Sequence, residues 1–262
     1  MVMYNEGQDA ADATAVTVAP ETCDSHTTIG STASKSERWY ASGNERSHSA
    51  FNMNLPNNTI WNGYPLYPSD NFHFKIELMN MNHEAQIGYV TVTYDIVEGH
   101  PENFREIKPV WLDAALCTGT GSEITAPQQS GKFSVVAEPW VATFDGAILG
   151  IAGHVHDGGV GVRFEVDGQH VCDSVATYGS TSGSISPKPM MGGGATVHVS
   201  AMSTCIGPLL PVKELKKGQK WTLIADYDYD KHLGILEEDG KQSDIMGIAL
   251  LFALRSDKRQ AS

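Results

Sequence analysis

Two histidines one residue apart, His154 and His156 in the run Gly153-His154-Val155-His156-Asp157-Gly158-Gly159, are the side chains of this sequence best placed to do chemistry. The residues before them, AILGIA, are apolar, and those after, VGVRFEV, alternate. That pattern puts the pair on or at the end of a β-strand, where positions two apart share one face. Two imidazoles held side by side can share a metal ion, or they can hydrogen-bond a ligand as a donor and acceptor pair. The same pair also suits simple packing against a turn formed by Asp157-Gly158-Gly159, so the elements around it must decide.

Those elements read as β throughout. Of 262 residues only 19% are charged, 26 are glycine and 12 proline, and the apolar residues fall in short runs between turn residues. This composition predicts an all-β chain of two β-sandwich (jelly-roll-like) domains packed together, with ample core. A formal charge of -13 excludes nucleic acid and anionic membrane as main partners, because no basic stripe exists to neutralise phosphate. There is no run of eighteen apolar residues and hence no membrane span. The first residues, MVMYNEGQDAADATAV, show neither a basic nor an apolar leader region, as a mature form would not. Four cysteines (Cys23, Cys117, Cys172, Cys205) and the glycosylation sequon Asn57-Asn58-Thr59 point to the secretory pathway or the extracellular space. Four cysteines allow three connectivities, and the nearest pairings are Cys23 with Cys117 and Cys172 with Cys205.

Along the chain, residues 1–36 form an extended arm, 37–125 the first sandwich, and 126–262 the second, which carries the HVHDGG motif. In the first, FHFKIELMN (72–80) and IGYVTVTYDIV (87–97) predict a hairpin, and VWLDAALC (110–117) a further strand. The Gly/Ser/Thr/Pro-rich TGTGSEITAPQQSGK then reads as a linker. The second half is a succession of strands with a hairpin turn at Asp167-Gly168, a long loop YGSTSGSISPKPMMGGGA, and a short helical possibility at Pro211 to Leu215.

A resemblance becomes specific at this point. The order GKFSVVAEPWVATFDGAILGIAGHVHDGGVGVRFEVDGQ, then KKGQKWTLIADYDY, then DKHLGILEEDGKQSDIMGIALLFAL resembles the C-terminal half of the copper type II, ascorbate-dependent monooxygenases of the peptidylglycine hydroxylase group. That resemblance implies that His154, His156 and Met246 hold an oxygen-binding copper. Two imidazoles and a thioether suit Cu(I), with Asp157 or a backbone carbonyl orienting the rings and His198 or His232 as substitute ligands. The first half departs from the family: the place of its electron-transfer copper ligands is taken by FHFKIELMN, with Ile76 and Glu77, and no His-His pair occurs in the chain.

The whole chain is also similar in size and character to the fungal hetero-Diels-Alderases of tropolonic sesquiterpenoid biosynthesis. This implies a cofactor-free pericyclase that joins a reactive quinone methide to a terpene such as humulene, with apolar small-molecule substrates held in a cleft lined by His154, His156, Trp140, Tyr227, Tyr229 and Met246. Such catalysis needs two partners held in a reactive orientation and hydrogen bonds to the carbonyl whose electron demand lowers the barrier. Other enzyme classes lack support, since the chain has no G-x-S-x-G elbow, no phosphate-cradling loop and no C-x-x-C.

Overall fold

Alternation of apolar and polar residues organises the described part of this chain into sixteen strands. The computed structural model describes residues 2–5, 37–43, 45, 62–68, 70–76, 78, 84–99, 104–115, 122–186, 196–237 and 239–256. In order the strands are β1 (Val2–Asn5), β2 (Glu37–Ala41), β3 (Asn62–Gly63), β4 (Phe72–Lys75), β5 (Arg105–Asp113), β6 (Glu123–Ile124), β7 (Lys132–Val136), β8 (Trp140–Val141), β9 (Gly146–Val155), β10 (Gly159–Val166), β11 (Gln169–Tyr178), β12 (Val199–Met202), β13 (Thr204–Cys205), β14 (Glu214–Leu215), β15 (Lys220–Asp228) and β16 (Ile245–Arg255). The all-β class expected from composition is what the chain adopts.

Two large sheets face each other. One is six-stranded, in the order β12-β11-β10-β15-β7 with β8 on β15. The other is seven-stranded, in the order β13-β9-β16-β5-β3 with β14 on β9 and β6 on β16. Between them lie Val110 and Leu112 of β5, Ile151 and Val155 of β9, Val162 and Phe164 of β10, Leu223 and Tyr227 of β15, and Ala249 and Leu251 of β16. The seven-stranded sheet is apolar on its other face too, where Trp111, Leu149, Ile248, Leu250, Phe252 and Leu254 form a second cluster joined by Ala41 of β2 and Met246. Odd-numbered residues of β16 thus build the inter-sheet core and even-numbered ones the outer layer, the period of two expected of a strand buried on both faces. Over that outer layer Arg38 sets its guanidinium 4.8 Å from the Trp111 ring centroid.

The turn between β10 and β11 forms as expected: Asp167 (φ 50°) and Gly168 (φ 77°) both take the left-handed region that a two-residue hairpin demands. A disulfide joins Cys172 on β11 to Cys205 on β13 and so staples one large sheet to the other. Its partners are 33 residues apart, and a loop of that size contributes about 3 to 4 kcal/mol on the chain-entropy account. Reduction under native conditions should therefore lower the urea midpoint, and a Cys172→Ala/Cys205→Ala chain should match the reduced protein; an unchanged midpoint would show that the bridge carries no stability. Cys23, Cys117 and the Asn57 sequon lie outside the described residues.

Several expectations are corrected. Residues 87–97 form no strand, and Ile87, Tyr89 and Ile96 are exposed; β4 pairs instead with β1, giving a three-stranded sheet β2-β1-β4. Alternation offered a face to bury, but the edge it would need is taken by residues 2–5, which belonged to the expected arm. Pro211 to Leu215 is not helical: the chain is extended there, and β14 pairs with β9. β5, which precedes the expected division near residue 126, runs antiparallel along β16 from Ile107 to Asp113. No helix among the described residues is long and apolar enough to cross a membrane.

Candidate active site

The HVHDGG turn is pinned from three sides. Residues 156–159 close a tight turn, with the Gly159 N–H donating to the His156 carbonyl at 3.0 Å and Gly158 at φ 90°. A side chain at Gly158 would meet the Tyr229 ring at 2.2 Å, so only glycine satisfies both the backbone and the space. The buried Tyr227 hydroxyl reaches up from the inter-sheet core, accepting from the His156 N–H at 3.1 Å and donating to the Met246 carbonyl at 2.7 Å. It thereby ties β9 to β16 at the motif. The Tyr178 hydroxyl accepts from the Gly158 N–H and donates to the Gly159 carbonyl. On the third side Asp157, itself buried, accepts from the Val199 N–H at 2.8 Å and from Nδ1 of His198 at 2.6 Å.

The imidazoles point away from this scaffold. His154 pairs across β16 with Ile248, and Val155 with Gly247. Since Val155 faces the inter-sheet core and Ile248 the outer layer, His154 lies on the outer face. Beyond this pairing the Tyr227 hydroxyl stands between the His156 N–H and the Met246 carbonyl, and Met246 packs against the outer cluster, the layer on which His154 lies. The rings stand edge to face with centroids 5.5 Å apart.

Each ring is held through Nδ1, but by chemically different partners. Nδ1–H of His154 donates to Oε1 of Glu45 at 2.7 Å, and Nδ1–H of His156 donates to the Asp244 carbonyl at 2.9 Å. Burial pushes the Glu45 carboxyl up, but the charge and hydrogen bond of His154 outweigh it and hold the carboxyl below its ordinary value. His154 therefore sits beside a carboxylate, whereas the Nδ1 partner of His156 is a backbone carbonyl. In both rings Nδ1 is thus engaged. Gly43 makes the Glu45 contact possible: a side chain there would stand 2.4 Å from Oε2 of Glu45 and 2.8 Å from the His154 ring.

Trp140 does not line this face. It pairs with Trp221 on β15, six residues and so about 20 Å along the strand from Tyr227, and it is core. Tyr227, stacked on Phe133, and Tyr229, edge-on to the same ring, are also core residues, the former reaching the motif through its hydroxyl. Asp157 does not orient the His154 and His156 rings, since it serves His198; the orienting groups are Glu45 and the Asp244 carbonyl. His198 is therefore committed elsewhere, and His232 stacks on Tyr178 with centroids 3.8 Å apart. Glu45 escaped the sequence reading because 109 residues separate it from His154, and no local pattern links them. Among the described residues no three His, Cys, Asp or Glu side chains converge as a group that could hold a metal ion.

No protein-family model and no solved structure matches the chain. Two curated fungal proteins do. A protein named probable copper-dependent oxygenase from Cochliobolus lunatus is 26% identical over 221 residues, covering 84% of this chain and 65% of its own length. Another of that name from a Phoma species is 26% identical over 228 residues, covering 86% of this chain and 54% of its own. This chain thus spans between about half and two thirds of the relatives it matches. The resemblance to copper oxygenases read from the HVHDGG region extends over most of the chain.

Proposed function

We propose that this chain is a fungal-type enzyme of secondary-metabolite biosynthesis whose working face carries His154 and His156, and that it catalyses a cofactor-free hetero-Diels-Alder cycloaddition between a quinone methide and a terpene such as humulene. The observation that carries this reading is the unequal pair: one imidazole beside a buried carboxylate, the other on a carbonyl, with both Nδ1 atoms committed. The His154 ring, braced by Glu45, offers a hydrogen bond to the carbonyl oxygen of the heterodiene and draws electron density from it. Nε2 of a neutral His156 accepts from a hydroxyl of the same partner and fixes its orientation. Holding two reactants in a reactive orientation is worth up to about 7 to 11 kcal/mol, and no nucleophile is needed. The disulfide fits folding in an oxidising compartment, and we place the protein in the secretory pathway or outside the cell.

A second reading is favoured by the names of the relatives and by the packing of Met246 on the outer layer of β16, the layer that carries His154. His154, His156 and Met246 are a donor set suited to Cu(I), and histidines whose Nδ1–H bonds a carboxylate or a carbonyl are oriented as ligating histidines usually are. A copper held there would supply one-electron and oxygen chemistry. In that case Glu45 and Asp244 keep the ring orientation, and Tyr227 keeps His156 and Met246 in register.

One experiment separates the two. The purified protein is analysed for metal, then incubated with a quinone methide precursor and humulene, with and without a chelator. Cycloaddition predicts an enhanced, stereochemically biased product that survives chelation, and near-silence of Met246→Leu, which preserves volume and apolarity. Stoichiometric copper, loss of activity on chelation and a costly Met246→Leu would establish the copper reading. No enhancement over buffer, in protein with or without copper, would sink the cycloaddition.

A further inference from the structure

The partner that Asp157 does take points to a second reactive centre. His198 is buried on the chain just before β12. Its N–H donates to the Ser184 carbonyl at 2.8 Å and its carbonyl accepts from Gly179 at 3.1 Å, so its backbone is fixed. Nδ1–H donates to Oδ2 of Asp157 at 2.6 Å, and Nε2 stands 2.7 Å from the hydroxyl of Ser186. With Nδ1 carrying the proton given to the carboxylate, Nε2 is the acceptor whenever the ring is neutral, and Ser186 Oγ–H then donates to it. The bridge between Ile185 and Val197 holds the two strands in that register. Carboxylate, imidazole and hydroxyl thus follow one another at hydrogen-bond distance in the order that activates a serine, and such an arrangement is recognised by geometry rather than by position in the sequence.

We propose that Ser186 is a nucleophile activated by His198 and positioned through Asp157, and that this centre accepts acyl groups from small activated esters. Ser186 is half-buried and the other two are buried, so the hydroxyl is the member that meets a substrate. The Oγ–carbon bond forms as the ester's carbon–alkoxide bond breaks; the hydroxyl proton passes to Nε2 of His198 and on to the departing alcohol. Water then cleaves the acyl-serine, its proton following the same path, and no redox partner is required. The Ser186 N–H is spent on the Thr196 carbonyl at 2.8 Å. It cannot also stabilise a developing oxyanion, which limits the centre to esters with good leaving groups rather than amides. The hydrogen bond to Asp157 raises the affinity of His198 for its proton, so the free base appears only at a pH above the ordinary imidazole value.

The proposal owes nothing to the chemistry at His154 and His156, and the test is run in chelator to keep the two apart. The 262-residue chain is treated with a fluorophosphonate ester, which transfers phosphorus to a nucleophilic serine with loss of fluoride, and the adduct is mapped by peptide mass spectrometry. We expect one adduct, on Ser186, forming faster as pH rises through the His198 titration, absent in Ser186→Ala, and about a hundredfold slower in His198→Gln. Should His198→Gln fail to fold, the wild-type pH profile reports the same dependence. No adduct on folded protein, an adduct that persists in Ser186→Ala, or a Ser186 labelling rate indifferent to pH would overturn the proposal.

Discussion

An Asp157→Ala chain is expected to unfold at a free energy about 3 to 5 kcal/mol below the parent, the cost of removing one member of a buried ion pair. The His198 imidazole and the Val199 N–H would both lose their acceptor in a buried setting, and the turn that carries His156 would lose its anchor to β12. The deficit should depend on pH. Pairing with Asp157 raises the His198 pKa on folding. The stability this contributes is fully present below the unfolded value of about 6.5 and is lost as pH rises through the higher folded value. Urea melts at pH 6 and pH 9 should therefore show a larger gap between parent and variant at the lower pH. Equal gaps would mean that the carboxylate serves only as a neutral-pair acceptor.

Glu45→Ala should lower turnover by about a hundredfold, in keeping with the loss of an orienting or proton-holding partner. The effect is expected under either reading of the site, because both require the His154 ring to be held through Nδ1. Glu45→Gln tells charge from orientation. An amide oxygen can still accept from Nδ1–H, so a Gln variant that recovers most of the loss assigns Glu45 to orientation, and one as slow as Ala assigns it to the charge of His154. Parental turnover in Glu45→Ala would remove this carboxylate from the site.

The placing of His154 on a strand and His156 just past its end was legible because alternation after the motif and an apolar run before it leave a strand as the economical solution; Met246 was named from a resemblance alone, and the structure puts it on the outer layer of β16. The Asp167-Gly168 turn was legible for a purely local reason, the left-handed conformation that the hairpin requires. What escaped was long-range. Glu45 reaches His154 from beyond β2, and Asp244 offers a backbone carbonyl, a group every residue possesses. Trp140 and Tyr229 looked like cleft walls because aromatic side chains serve walls and cores equally, and only the side of the sheet they occupy separates the two uses. Residues 87–97 show the converse: alternation is necessary for a half-buried strand but does not supply a neighbour to pair with.

The two-sided burial of the seven-stranded sheet has a consequence for how this protein can change over generations. Single substitutions on the outer face of β9 and β16 can remodel what the imidazoles meet while leaving the inter-sheet packing untouched, because neighbours along a strand belong to different layers. Insertions and deletions have no such freedom. Adding or removing one residue between Gly150 and Val155 would exchange the two layers, turning the imidazoles into the core and Val155 out of it, unless a bulge absorbed the shift. A bulge already sits one step upstream, where Phe252 pairs with Gly150 and Ala253 with Ile148, skipping Leu149. Descendants of this chain that keep the fold should therefore vary in length in their loops and at that bulge, and hold the spacing from Gly150 to His156 constant.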